Sequence, residues 1–322
     1  MGRFSSELFE RDQRAEKALV GSLAERDVQG ISTRKVTAVS EALCGHSFSA
    51  SAISAINKSL DESLKAVAER RLGESCPCLI RDARYATVRE AGVMAGPAVL
   101  VAVAVDEDGR GQILAVDLAD RESRSSWRDV LSGLKARGLA GVAFVVCDHH
   151  AGLKAAIREV LPEAAWQRCS GHFLRYALDD VPRQGDDNCL RELRWFAACP
   201  RAGHRPDPGD LRDLSTWLAR WQAKHPRLCH WVEDNIEERL TCYRLPLPHH
   251  KHMKSTKMLE RLNRELQRRT PVVRRFPSAE SCLRLVRALA VERHETWLDA
   301  TRYLNMDHLT EHKKEALRAL AA

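Results

Sequence analysis

Two acidic residues stand where a chain of this kind can do chemistry. The run Val142–Val146 is apolar and β-branched, so it reads as a buried strand, and Asp148 follows just past its end. Gly152 then opens a helix in which Leu153, Ala156, Ile157, Val160 and Leu161 recur at helical spacing. A carboxylate at the carboxyl end of a central strand stands where metals and ligands bind in α/β sheets. It can equally cap the following helix, and the spacing leaves both readings open. The second residue is Glu260. Leu259, Leu262 and Leu266 form an apolar helical stripe, which puts Glu260, Asn263, Arg264 and Gln267 on a neighbouring face. One carboxylate among cations is either a solvated face with intrahelical ion pairs or a phosphate-binding face that carries one metal-binding acid.

Charge points to the same stretch. The chain has 322 residues, 44% hydrophobic and 30% charged, with a net charge of +7, room for two or three compact units. Between Lys251 and Arg275 nine Lys and Arg face only Glu260 and Glu265, a local surplus equal to the whole net charge. The longest apolar run, Ala98–Val105, is far shorter than the roughly 20 residues of a membrane helix, and there is no hydrophobic leader. The expectation is a cytoplasmic protein with no membrane partner. Ten scattered cysteines read as reduced thiols, and Cys76-Pro77-Cys78 lacks a second pair for a structural zinc.

The elements that must position these residues follow in order. Residues 1–74 are helical in pattern. Two short helices, one beginning at Ile31–Lys35 with Val36, Val39 and Leu43 on its apolar face and one capped by Ser49 or Ser51 with Ile53, Ile56, Leu60 and Leu64 on its own, flank a turn at Gly45–Phe48, which fits a helix-turn-helix. Its second helix would offer Ser51, Ser54, Asn57 and Lys58 to base edges; an ordinary helical hairpin is the alternative. From Cys78 the period becomes two, with strands over Leu79–Val88, Ala98–Val105 and Gln112–Leu118. Asp106–Gly109 turns the second into the third, and Asp82 lies in the first. A helix around Trp127, Val130, Leu131 and Leu134 stops near Gly138 and leads into the Val142–Val146 strand, taken as central. The order β-β-β-α-β-α, with one Asp in the first strand and one after the fourth, is that of the ribonuclease H-like fold. Residues 75–174 are read as the first part of that core, 175–250 as an all-helical insertion, and 251–322 as the Glu260 helix and terminal helices completing it. Arg194-Trp195 in the insertion is a candidate for stacking on an unpaired base.

Several segments in this order resemble the Mutator-type transposases of bacterial insertion sequences: VQGISTRKV, RDARYATVR, VDEDGR, WRDVLSGLKARGL, VVCDHHAGLKAAI, AWQRCSGHFLRYAL and STKMLERLNRELQRRTPVV. The resemblance runs from about Glu10 to Asp307. It implies a DDE transposase in which Asp82, Asp148 and Glu260 are the catalytic metal ligands, with Cys169 and His172 forming a Cys-x-x-His beside them. Two Mg²⁺ ions, for which Mn²⁺ can substitute, would lie about 3.5–4 Å apart and serve hydrolysis and strand transfer. The implied partners are the terminal repeats and target DNA, with the chain assembling as a homo-oligomer on DNA ends near the nucleoid. Lys254, Lys257, Arg261, Arg264, Arg268 and Arg269 would track phosphates. Three residues depart from the family pattern: Arg81 before the first Asp, His149 after the second, and Lys257 three before the Glu. The chain also begins later than typical members. The alternative is therefore a truncated, catalytically inactive DNA-binding copy that competes with a longer enzyme. A zinc hydrolase built on Cys169 and His172 is a third reading.

Overall fold

The computed structural model describes residues 61–62, 64–90, 93–179, 187–197, 208–269, 276, 278–299 and 302–321. The expected helix-turn-helix, with Ser51, Ser54, Asn57 and Lys58, lies outside them. The strands are β1 (Cys78–Tyr85), β2 (Val88–Glu90), β3 (Val93–Ala95), β4 (Ala98–Val105), β5 (Gly111–Ala119), β6 (Phe144–Cys147) and β7 (Ala165–Arg168). The helices are α1 (Arg124–Ala136), α2 (Ala151–Val160), α3 (Ser170–Asp179), α4 (Asp187–Ala197), α5 (Pro208–Trp221) and α6 (Pro226–Asn235). After a 3₁₀ segment, Glu237–Arg244, come α7 (Leu247–Met253), α8 (Lys257–Arg269), α9 (Ala279–Asp299) and α10 (Asp307–Ala321).

Five strands form one mixed sheet in the order β5-β4-β1-β6-β7, while β2 and β3 pair separately. The first three strands are antiparallel to one another, and β1, β6 and β7 are parallel. The middle strand is therefore β1, with β6 beside it. Asp82 thus sits on the middle strand, and Asp148 just past the end of its neighbour.

Alternation along β4 shows how the layers form. Val99, Val101, Val103 and Val105 enter one core, and Ala98, Leu100, Ala102 and Ala104 enter the other. Successive strand residues face opposite sides, so a strand buried on both faces must be apolar throughout. One face is covered by Trp127, Leu131 and Leu134 of α1 and Leu153, Ala156 and Ile157 of α2. The other is covered by Met258, Leu259, Leu262 and Leu266 of α8 and Cys282, Leu285, Val286 and Leu289 of α9. The β4–β5 turn depends on Gly109, whose φ of 81° is left-handed and whose missing Cβ would meet the Leu304 carbonyl oxygen. Its carbonyl accepts from Tyr303 and Leu304 N–H groups at 2.7 and 3.1 Å, which ties the turn to the α9–α10 connection.

The helices after β7 have a core of their own. Phe173 and Ala177 of α3 pack with Cys189, Leu193, Trp217, Trp221, Leu228 and Val232. Trp217 and Trp221 are thus structural. This excursion leaves and returns at one place, where Ser170 N–H donates to the Lys254 carbonyl at 2.8 Å. Edge strand β7 is partly covered on the way back: Gln167 donates to the Arg239 carbonyl at 2.6 Å and accepts from Cys242 N–H at 2.7 Å. The eight cysteines among the described residues are free and buried. No helix of the described residues is long and apolar enough to cross a membrane.

Candidate functional site

The β1–β6 register brings the first two carboxylates together. Cys78, Leu79 and Ile80 lie opposite Phe144, Val145 and Val146; the paired register ends there, and Asp82 and Asp148 follow it, near enough for the Asp148 charge to act on the Asp82 carboxyl. Parallel neighbours lie roughly 5 Å apart, so residues separated widely in sequence share one edge of the sheet.

Asp148 does not cap α2. His150 does, its Nδ1 accepting from Leu153 N–H at 3.3 Å. Asp148 Oδ1 accepts from the His149 N–H at 2.6 Å, and Oδ2 accepts from the Tyr176 hydroxyl at 3.4 Å. The carboxylate remains partly open to solvent, with His172 Nδ1 3.7 Å from Oδ1. Asp82 is held by the Ala83 N–H at 3.1 Å and by the Asn263 side-chain amide, which donates to Oδ2 at 2.8 Å. Burial, together with the charges of Asp148 and Glu122, outweighs His172 and the Ala83 N–H and pushes the Asp82 carboxyl up to about 6. Two acids this close resist ionising together unless a cation joins them.

Glu260 lies one turn before Asn263 on α8. Among the described residues its carboxylate has no ion-pair partner, while the same helix carries one intrahelical pair, Glu265–Arg268 at 2.8 Å. Its Oε1 turns toward Gly171 at the start of α3, 3.5 Å from where a Cβ would stand. Asn263 anchors this face of α8 to Asp82, and the Asn263 carbonyl accepts from Arg84 at 3.3 Å. Even so, among the described residues no three His, Cys, Asp or Glu side chains stand close enough together to hold a metal. The donor chemistry fits magnesium, which takes hard oxygen ligands. Asp82 and Asp148 form a pair, while Glu260 lies on the adjoining helix without closing a group of three.

Cys169 and His172 lie beneath this edge. Cys169 is fully buried; its Sγ accepts from Thr256 N–H at 3.4 Å and lies 3.4 Å from Thr256 Oγ1. Burial opposes charge on both residues. Their mutual hydrogen bond, with Asp148 and Asp82 nearby, nevertheless pushes His172 up to about 9 and holds the Cys169 thiol below its ordinary value.

The three departures have different fates. Arg81 is fully buried; among the described residues its guanidinium nitrogens have no hydrogen-bond partner, and it lies over the Trp127 ring at 5.5 Å with the Cys147 thiol near. Burial lowers it to about 9. His149 turns to Glu238 of the 3₁₀ segment at 3.6 Å, and Glu238 also binds Lys154 and lies 3.7 Å from Arg168. Lys257 is exposed as the first residue of α8.

Of the other basic candidates, Arg261 and Arg264 are exposed on α8, and Arg268 is paired with Glu265 at 2.8 Å. Lys254 is half-buried at the seam with Ser170. Arg194 is exposed on α4. The side chains of Trp195 and Arg269 lie outside the described set. Sequence reasoning missed Tyr176 and Thr256 as partners of Asp148 and Cys169, and Glu122 as a nearby carboxylate. No local motif marks them; each acts across a distance in sequence that only folding closes.

These positions fall in a chain whose kin are known. The model of the family described as "Transposase, Mutator family" matches residues 1–300. The chain belongs to that family. It is 63% identical over 321 residues to the transposase for insertion sequence element ISRM5 of Rhizobium meliloti (strain 1021), covering 99% of this chain and 79% of the relative. It is 41% identical to the IS406 transposase of Burkholderia multivorans (94% and 78% covered), and 33% identical to the transposase of IS256 in transposon Tn4001 of Staphylococcus aureus (95% and 78%). Among solved structures, the Drosophila P element transposase strand transfer complex aligns over 93% of this chain and 85% of that one, at 10% identity and a TM-score of 0.36, too weak a likeness to bear on fold or function.

Proposed function

We propose that the chain cuts DNA at insertion-sequence ends and joins the freed strand to a target. The observation that supports this reading is the parallel β1–β6 register, paired from Cys78–Phe144 to Ile80–Val146 and leading toward Asp82 and Asp148, in a chain of the Mutator family. The core is read as ribonuclease H-like, with three antiparallel strands continued by two parallel ones and the Glu260 helix against the sheet. Residues 1–74 are assigned to end recognition and 175–250 to the helical insertion.

Asp82 and Asp148 would bind Mg²⁺, with Glu260 as third ligand. When bound, the metal supplies charge that activates an attacking oxygen and stabilises a leaving oxygen. The protein's own part is positional. Asn263 fixes the Asp82 carboxylate, while the His149 N–H and Tyr176 hydroxyl fix that of Asp148. His172, whose basicity Cys169 and the two aspartates raise, lies 3.7 Å from Asp148. Arg261, Arg264 and Lys257 offer exposed cations to phosphates. The alternative of an inactive competitor has no observation of its own in its favour.

The test is cleavage of a labelled terminal-repeat duplex by the purified chain with Mg²⁺. Nicking at the element boundary that disappears in Asp148→Asn, while the duplex is still bound, supports the proposal. Binding without nicking under Mg²⁺ and Mn²⁺ would establish the competitor instead.

A further inference from the structure

A cavity of about 680 Å³ opens beside α8, on the side of the helix turned away from Asn263 and Glu260. Its size falls within the roughly 300–1,000 Å³ of ordinary ligand sites. Lys251, Lys257, Arg261 and Arg302 line it, and all four are exposed. Among the described residues none of them has a carboxylate partner. The acid in the wall, Glu265, is already engaged by Arg268 at 2.8 Å and lies 4.0 Å from Arg293. The cavity therefore holds an uncompensated positive charge, for which a polyanion is the natural occupant.

Its inner wall is aromatic. Trp297 and Tyr303 are half-buried, packed against the core on one side and facing the cavity on the other. His252 meets Tyr303 edge-on, with centroids 4.8 Å apart. Burial and the charges of Lys251, His249 and Arg261 hold His252 below its ordinary value. Cations at a rim with rings behind them are what a strand with unstacked bases requires: phosphates stay at the mouth, and one base enters. A base inside a duplex could not reach the rings, because its faces are covered by its neighbours in the stack.

We propose that this cavity binds an unpaired nucleotide of a DNA strand, with its flanking phosphates on Lys257, Arg261 and Arg302 and its base against Tyr303 and Trp297. The proposal rests on the chain acting on DNA but not on the carboxylate chemistry. Because Arg302 and Tyr303 stand next to Leu304, which is bonded to Gly109, the β4–β5 turn holds this wall in place.

The test is fluorescence anisotropy on the full chain in chelator, with a short labelled single strand and a blunt duplex of the same sequence at fixed salt. Tyr303→Leu should weaken the strand about tenfold, the size of one lost base stack, and leave the duplex unchanged. Tyr303→Phe, which keeps the ring, should bind the strand as the parent does. Arg302→Gln should lower the salt dependence of strand binding by about one counterion. Equal losses on strand and duplex in Tyr303→Leu, or a Tyr303→Phe variant as weak as the Leu one, would overturn the proposal. Competition by micromolar deoxynucleoside monophosphate would also overturn it, assigning the cavity to a free nucleotide. A parent chain that binds duplex but not strand sinks this inference alone. Strand binding without any nicking under metal sinks the transposase reading alone.

Discussion

Helix α8 borders two regions with opposite electrical needs. On one side, Asp82 and Asp148 are two acids near one edge of the sheet, with Asp82 tied to Asn263 of α8, the helix that also carries Glu260. On the other, Lys251, Lys257, Arg261 and Arg302 surround a cavity whose one acid is already engaged. The acids are placed by backbone: adjacent strands, a strand end and one turn of helix. The cations reach their region on long side chains. The first arrangement therefore demands exact spacing and fails when one atom changes, whereas the second can lose a member and still attract phosphate.

The largest expected effect tests the demanding side. Asp82→Asn or Asp148→Asn should bring nicking of terminal-repeat duplex to background in a gel assay, while a mobility shift shows binding within about twofold of the parent. If nicking survives either change, that residue is not a ligand. Next comes Asn263→Ala, which frees the Asp82 carboxylate without removing it. Loss of a group that orients a metal ligand costs roughly 10–100-fold, so nicking should fall by that factor and recover in part at higher Mg²⁺.

A third prediction concerns the residue beside Asp82. Arg81 places a charge in the core, over the Trp127 ring and without a hydrogen-bond partner among the described residues. Replacing a buried ion with an apolar side chain of similar volume is often stabilising by about 1–4 kcal/mol. Arg81→Met should raise the thermal midpoint in scanning calorimetry; a fall would show that the guanidinium has a partner, such as buried water, that matters more. The smallest effect belongs to Glu265→Gln. That acid binds Arg268 on the cavity side, so its loss should leave nicking within about threefold, the scale of a weak surface pair. If Glu265→Gln stops nicking and Glu260→Gln does not, the third ligand is misassigned.

The sequence made the sheet legible where the pattern was local. Alternation in β4 and the Asp106–Gly109 turn mark the β4–β5 hairpin without ambiguity. Strand β7 was not read as a strand, because AWQR has little apolar pattern. Its place comes from pairing with β6 and from Gln167, whose amide is satisfied by Arg239 and Cys242 far along the chain. The three-residue strands β2 and β3 are too short for a period to show. Asp148 could be singled out at its strand end, but that His150 rather than Asp148 caps α2 depends on backbone angles that spacing does not encode. Arg81 shows the same limit: strand alternation places it on the face opposite Asp82, yet not beneath Trp127. Tyr176, Thr256 and Glu122 gained their roles from the tertiary fold alone.

The seam between Ser170 and Lys254 bears on how such a chain can change over generations. Because the helical excursion departs and comes home at bonded neighbours, its contour length is invisible to the sheet. Loop-closure entropy grows only as the logarithm of length, so lengthening the span costs little once its ends are pinned. A lineage could lengthen, trim or exchange the helices α4 to α6 while inheriting the acidic edge intact, provided that the 3₁₀ segment still covers β7. Variation in the size of the protein would then accumulate at this doorway, and conservatism at the strands on either side of it.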